Sequence, residues 1–419
     1  MLVLWMQETQ SGPFGPLFLL QISEKTRIAR DTMKKVTETV RELALPVVEE
    51  NGCKLWDVEY VREAGQWYLR IYIDKDGGVN ILDCWMPDPT RRSNLGDALA
   101  QMGARDRWVI QGHLGSTWQD GQYVRTREME HVRPAFEDLL ARFHTDYMDL
   151  GMIHYVDRVD EFRQIMDGSP FIHYVRELRD AGTVRHVGLS THNPDVARLA
   201  VEDPEIEMIL FSVNPAFDML PASEDIDDLF GEYDASLEGI DPQRAALYAE
   251  AERTGTGITV MKGYAGGRLL DAATSPFGVA LTPIQCIHYA LTRPAVASIM
   301  VGFSEPGHVD GAVAYETADE GELDYASVLA GAPAHAYFGE CTYCGHCAPC
   351  PRGIDIPTVN KFHDLAALHD EVPDSVREHY RALEVTAEAC IACRACEVRC
   401  PFGVKVADKM ARAVELFGC

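Results

Sequence analysis

Two short runs near the C-terminal end constrain this chain more than any other feature: Cys341-Thr-Tyr-Cys344-Gly-His-Cys347-Ala-Pro-Cys350-Pro351 and Cys390-Ile-Ala-Cys393-Arg-Ala-Cys396-Glu-Val-Arg-Cys400-Pro401. Eight of the 12 cysteines lie in them. Three thiolates at C-x-x-C-x-x-C spacing hold three corners of an iron–sulfur cube, and a more distant Cys-Pro supplies the fourth, usually to the partner cluster. The expectation is two [4Fe-4S] clusters, one on Cys341, Cys344, Cys347 and Cys400, the other on Cys390, Cys393, Cys396 and Cys350. The first run has two rather than three residues before its last Cys, so assignment run by run stays open beside the swap. Zinc is the weaker reading, because three Cys within seven residues crowd one tetrahedral ion. Disulfides are weaker again, because the chain shows no secretory signal.

At 419 residues with 47% hydrophobic content, the chain has enough length and apolar mass for two or three domains. Its formal charge of −27 repels phosphate backbones, which argues against nucleic acid as the main partner. The apolar stretches at residues 1–6 and 16–20 are far too short to span a membrane, and the expected location is the cytoplasm. Cys53, Cys84, Cys286 and Cys419 have no ligand spacing and read as core or terminal residues.

Residues 1–31 carry no motif and read as an irregular leader. A helical pattern over about 32–50 precedes two alternating runs, 54–61 and 67–73, which predict a helix and a β-hairpin. Pro46-Val-Val-Glu-Glu-Asn-Gly-Cys-Lys-Leu-Trp-Asp-Val-Glu-Tyr-Val and Tyr68-Leu-Arg-Ile-Tyr-Ile-Asp-Lys-Asp-Gly-Gly-Val resemble the N-terminal domain of the ribosome maturation factor P (RimP) family over residues 32–84. The expected boundaries are a leader at 1–31, a RimP-like α+β segment at 32–78, a barrel at 79–335 and an iron–sulfur domain at 336–419.

From Val79 onward seven strands alternate with helices, ending at strand 298–302 and helix 306–317. Strict alternation predicts a parallel sheet, and the (β/α)8 TIM barrel needs one strand more. Arg92-Ser-Asn-Leu-Gly-Asp-Ala-Leu, Asp146-Tyr-Met-Asp-Leu-Gly-Met-Ile-His154, Gly182-Thr-Val-Arg-His-Val-Gly-Leu-Ser190 and Val260-Met-Lys-Gly-Tyr-Ala-Gly-Gly-Arg-Leu resemble the aldo/keto reductase family. More narrowly, residues 79–403 resemble its branch that ends in a ferredoxin-like domain, and residues 341–403 are similar to a bacterial two-cluster ferredoxin. The first β/α unit of such a barrel falls where the RimP-like segment stands. An α/β fold of this kind carries its active site at the C-terminal ends of the strands.

The resemblance implies an Asp, Tyr, Lys, His set. Asp83 occupies the Asp position and His154 the His position, whereas Asp88 stands where the acid Tyr is expected and His113 where the Lys is. A carboxylate beside His113 favours the charged imidazole and would make it a proton donor; Lys262 and Tyr264 are the alternative replacements. For a nicotinamide, the resemblance implies Ser190 and Thr191 at the carboxamide, Leu210 in place of a Gln, and Gly302 and Ser304 in a phosphate-meeting loop. The expected function is an oxidoreductase acting on a small carbonyl or alcohol compound, with NADPH or NADH as cofactor and electrons passing through the clusters to a redox partner protein. Two other functions stay open: an electron carrier with a catalytically degenerate barrel, and small-subunit ribosome assembly through residues 32–84.

Overall fold

The computed structural model describes residues 2–4, 41, 45, 54–63, 66–74, 81–103, 105–231, 233, 237–333 and 337–418. The chain divides into two compact units, Met1–Gly78 and Val79–Cys419. In the first, β2 (Lys54–Glu63) and β3 (Gln66–Asp74) form the antiparallel hairpin that the two alternating runs predict. A short strand β1 (Leu2–Leu4) pairs antiparallel with β3, inside the stretch read as an irregular leader. Most of the helix expected at 32–50, the first two residues of the strand at Val79, and Cys53 and Cys419 lie outside the described residues.

The second unit is built on seven parallel strands: β4 (Ile81–Cys84), β5 (Val109–Leu114), β8 (Met148–Ile153), β9 (Val184–Thr191), β10 (Met208–Ser212), β11 (Gly257–Met261) and β12 (Val296–Ile299). They are hydrogen-bonded in chain order, β4 to β5 to β8 and on to β12, with helices between them. This is a (β/α) barrel short of one unit. Among the described residues β4 and β12 each pair with one strand only. Side chains point alternately to the two faces of a strand. The faces turned to the helices carry buried residues such as Ile110, Val187, Ile209 and Ile258, while Leu150, Met152 and Leu210 form a smaller core of their own.

Between β5 and helix Met129–Arg142 stands a ribbon outside the barrel, β6 (Ser116–Gln119) and β7 (Gln122–Arg125). Asp120 and Gly121 make its turn with φ of 50° and 79°, the mirror-image turn that Asp-Gly favours. Helix Pro89–Met102 crosses the end of helix Met129–Arg142 so closely that a Cβ on Gly96 would lie 1.9 Å from the carbonyl oxygen of Arg142. The C-terminal domain packs helices Ile356–Ala367 and Val406–Phe417 against each other beside the cysteine loops. No helix among the described residues is long and apolar enough to cross a membrane.

Candidate active site and cysteine cavities

Asp83 lies near the C-terminal end of β4, opposite Gln111 of β5 in the ladder. Because the side-chain period is two, Gln111 and His113 share a face of β5 and both reach Asp83. Gln111 Nε2 donates to Asp83 Oδ1 at 3.2 Å, and His113 Nε2 lies 2.8 Å from the same oxygen. His154 follows β8, and its N–H bonds to the carbonyl of Leu114, so the two histidines stand on neighbouring strand ends. Their Nδ1 atoms are 2.8 Å apart. The far nitrogen of His154, Nε2, lies 2.7 Å from the hydroxyl of Tyr123.

Asp83, His113, His154 and Tyr123 therefore form one unbroken hydrogen-bonded line. An ionised carboxylate can only accept, so with both imidazoles neutral the donors all run one way. His113 Nε2–H donates to Asp83, His154 Nδ1–H donates to His113 Nδ1, and Tyr123 O–H donates to His154 Nε2. Both histidines are buried, at 2% and 5% exposure, while the Asp83 side chain is 15% exposed and meets solvent. Burial first, and the neighbouring His113 and Arg127 second, hold the His154 imidazole well below its usual pKa, so it rests neutral. Burial likewise raises the phenol of Tyr123.

This geometry changes the proton-donor reading of His113. Both of its ring nitrogens are bound to protein, so it can relay a proton but has no free N–H for a substrate. Tyr123 is the group at the open end, and residue-by-residue comparison missed it. The signal was present as Asp120-Gly121 between alternating residues. Asp88 is the N-cap of helix Pro89–Met102, its side chain accepting from Arg91 N–H at 2.9 Å, which accounts for its position without any catalytic role. The Lys262 ammonium sits 5.7 Å from the Phe230 ring centre and neither Lys262 nor Tyr264 belongs to the line.

The ribbon is held where Tyr123 can reach the site. Ser116 Oγ donates to the Trp85 carbonyl, Arg125 to the Tyr155 carbonyl at 2.7 Å, and Arg127 to the His154 carbonyl at 2.6 Å. Trp85 lies edge-on to Tyr123 at 5.7 Å and stacks parallel to His154 at 6.4 Å, with 42% of its surface exposed at the barrel mouth.

On the nicotinamide side, Ser190 Oγ accepts from Tyr155 N–H at 2.7 Å and keeps its own O–H to give. Thr191 differs: its hydroxyl donates to Asp157 at 2.9 Å and accepts from Asn193 N–H. The loop at Gly302 is open, with nothing within 4 Å of a Cβ built there, so a phosphate can approach its backbone. Ser304 meets His308 Nδ1 at 3.2 Å.

The eight clustered cysteines line two separate cavities. Cys341, Cys344, Cys347 and Cys400 line one, and Cys350, Cys390, Cys393 and Cys396 line the other. The chain thus crosses between them in the way the swapped assignment expects. Both loops bend alike: Tyr343 and Gly345 around Cys344, and Ala392 and Arg394 around Cys393, all have positive φ. Such turns aim successive N–H groups into one concavity, a cradle for an anionic group. Ala392 N–H reaches Cys390 Sγ at 3.4 Å, and Asn360 Nδ2 reaches Cys341 Sγ at 3.3 Å. Burial pushes the thiols of Cys341 and Cys347 up to about 11 and about 12, so iron has to supply the positive charge that makes them thiolates. Four soft donors around each of two cavities, with N–H groups turned inward, fit iron–sulfur cubes. Cys84 and Cys286 are buried, and burial raises each thiol to about 12, as expected of inert core residues.

Three family models match the chain: the aldo/keto reductase family over residues 88–325, the 4Fe-4S dicluster domain over 340–405, and the RimP N-terminal domain over 43–86. Among solved structures, the aldo-keto reductase AKR11C1 from Bacillus halodurans in its holo form is 19% identical, with a TM-score of 0.45, covering 58% of this chain and 78% of that one. An aldo-keto reductase from Pseudomonas aeruginosa, PA4992, is 23% identical with a TM-score of 0.41, covering 57% of this chain and 76% of that one.

Proposed function

Because the chain belongs to the aldo/keto reductase family and carries a 4Fe-4S dicluster domain, we propose that this oxidoreductase interconverts a small carbonyl compound and its alcohol, with Tyr123 as the proton donor. The observation that carries the reading is the unbroken line from Asp83 to Tyr123. One proton taken up by His113 reverses the line. His113 Nδ1–H then donates to His154 Nδ1, His154 Nε2–H donates to Tyr123 Oη, and the phenol O–H is freed for a carbonyl oxygen at the barrel mouth. When Tyr123 gives that proton to the substrate, its oxygen takes one from His154, which takes one from His113. The resting arrangement returns, and reloading runs the same shifts backwards: solvent gives a proton to the Tyr123 oxygen as the phenol proton passes to His154 Nε2 and the His154 Nδ1 proton passes to His113, whose positive ring Asp83 then balances. A neutral His154 suits this role, since it must both accept and release a proton in each cycle.

Cys341, Cys344, Cys347 and Cys400 would hold one [4Fe-4S] cluster and Cys350, Cys390, Cys393 and Cys396 a second, which would supply or take single electrons in exchange with a redox partner protein. NADPH or NADH supplies hydride when bound, and Ser190, Gly302 and Ser304 are the residues placed to hold it. One observation favours the carrier reading instead: the Thr191 hydroxyl is already committed to Asp157, and apolar Leu210 stands where a Gln would hold the carboxamide. Anaerobic protein offered NADPH and a panel of small aldehydes and ketones decides between them. Alcohol formation that is lost in His154→Asn supports the enzyme. Clusters that respond to dithionite in a protein that neither binds NADPH nor turns over any carbonyl leave the carrier.

A further inference from the structure

Arg293 follows helix Pro283–Leu291 and is buried, at 1% exposure, beneath the first cysteine loop. One of its nitrogens, Nη2, donates to the carbonyl of Thr342, the residue after Cys341, and to Thr292 Oγ1 at 3.1 Å. Its guanidinium carbon lies 4.5 Å from the ring centre of Tyr289 and 4.9 Å from that of Tyr343, which is also in the loop. The two remaining nitrogens, Nε and Nη1, are buried and have no protein partner.

A guanidinium in such a place needs a counter-charge, because a buried unpaired ion is strongly unfavourable. Of the carboxylates in the region, Asp218 acts on Arg293 through its charge but is shared with other partners, and Glu252 accepts from Ala295 N–H. Asp218 is bound by Tyr248 and Tyr289 and lies 3.5 Å from Arg244. Asp364 is bound by Lys409, His363 and Tyr343, and Asp324 is paired with His346 at 3.2 Å. Further negative charge comes from the cavity of Cys341, Cys344, Cys347 and Cys400, which Thr342 lines, once four thiolates hold an iron–sulfur cube. Asn360 completes the picture from the opposite helix, Ile356–Ala367: its amide N–H is given to Cys341 Sγ while its carbonyl oxygen is left without a partner.

Resting on the cluster reading above, we infer that Arg293 and Asn360 set the reduction potential of the cluster on Cys341, Cys344, Cys347 and Cys400. Each added electron makes the cube more negative. A fixed buried cation and an N–H donor on a ligand sulfur both favour that reduced state and raise the potential. Arg293 acts through charge and through the Thr342 peptide rather than as a ligand, so it is a positioning and tuning residue.

The test is an EPR-monitored potentiometric titration of the full anaerobic chain, with iron and sulfide assayed on each sample. In Arg293→Gln one midpoint falls by at least a tenfold change in the reduction equilibrium, about 59 mV for one electron, while the other stays put. Arg293→Lys, which keeps the charge, falls by less than half as much. Asn360→Leu lowers the same midpoint as Arg293→Gln, and it carries the test should the latter fail to assemble. Iron-loaded variants with both potentials at their wild-type values overturn the inference alone, as does an Arg293→Lys shift equal to that of Arg293→Gln. An iron-free wild-type chain overturns the cluster reading and the inference with it.

Discussion

Replacing Tyr123 by Phe separates proton delivery from packing. The ring keeps its edge-on contacts with Trp85 at 5.7 Å and His154 at 5.8 Å, so little apolar surface is lost. What disappears is one O–H given to a buried imidazole nitrogen, and leaving that nitrogen unpaired costs about 1–3 kcal/mol of stability. The catalytic loss is larger. A positioned proton donor contributes roughly 10²–10⁴ in rate, or about 2.7–5.4 kcal/mol of barrier at about 1.36 kcal/mol per tenfold. Urea unfolding reads the first quantity, and alcohol formation by the anaerobic, cluster-loaded protein at saturating carbonyl reads the second. Tyr123→Phe is expected to fall in kcat by that factor while retaining iron and a cooperative unfolding transition. Wild-type kcat in this variant would refute the relay, because among the described residues Tyr123 is the hydrogen-bond partner of His154 Nε2.

Three further outcomes follow from the same geometry. His154 has a depressed pKa in the folded chain, so on acidification through about 6.5 the unfolded chain binds a proton that the native one refuses. Stability therefore falls with pH below that value, and urea titrations at several pH values should show a shallower fall in His154→Asn. Gly96→Ala sets a methyl 1.9 Å from the Arg142 carbonyl, in rigid backbone, and is expected to destabilise by about 1–3 kcal/mol or more, measured by the same unfolding. The double variant Cys341→Ala with Cys400→Ala removes ligands from one cavity only, so an iron assay should find about half the iron retained; ligation run by run predicts loss of both clusters.

Much of the architecture can be read from local pattern. The β/α alternation from Ile81 to Ile299 follows from strand runs bounded by helix caps, and the cysteine spacing marks the eight clustered residues but leaves open how they divide between the two cavities, which the folding of the loops decides. Asp83, His113 and His154 are visible because strand ends in a barrel converge on one mouth. Tyr123 is less visible, because its ribbon stands outside the parallel sheet and interrupts the expected strand-to-helix alternation. Asp88 shows the opposite difficulty: alignment sets it at the family's Tyr position as a bare mismatch, while Asp-Pro at a helix start is a cap by physical chemistry alone. The pairing of β1 with β3 joins segments about seventy residues apart, and no local signal announces such a contact.

The redox function rests on the C-terminal cysteines being thiolate corners of iron cubes. Iron, acid-labile sulfide and visible absorbance of the anaerobically purified chain test it in one sample. The expected result is a brown protein with equal iron and sulfide whose absorbance bleaches on dithionite addition. A colourless protein, or one holding zinc and no sulfide, would contradict it.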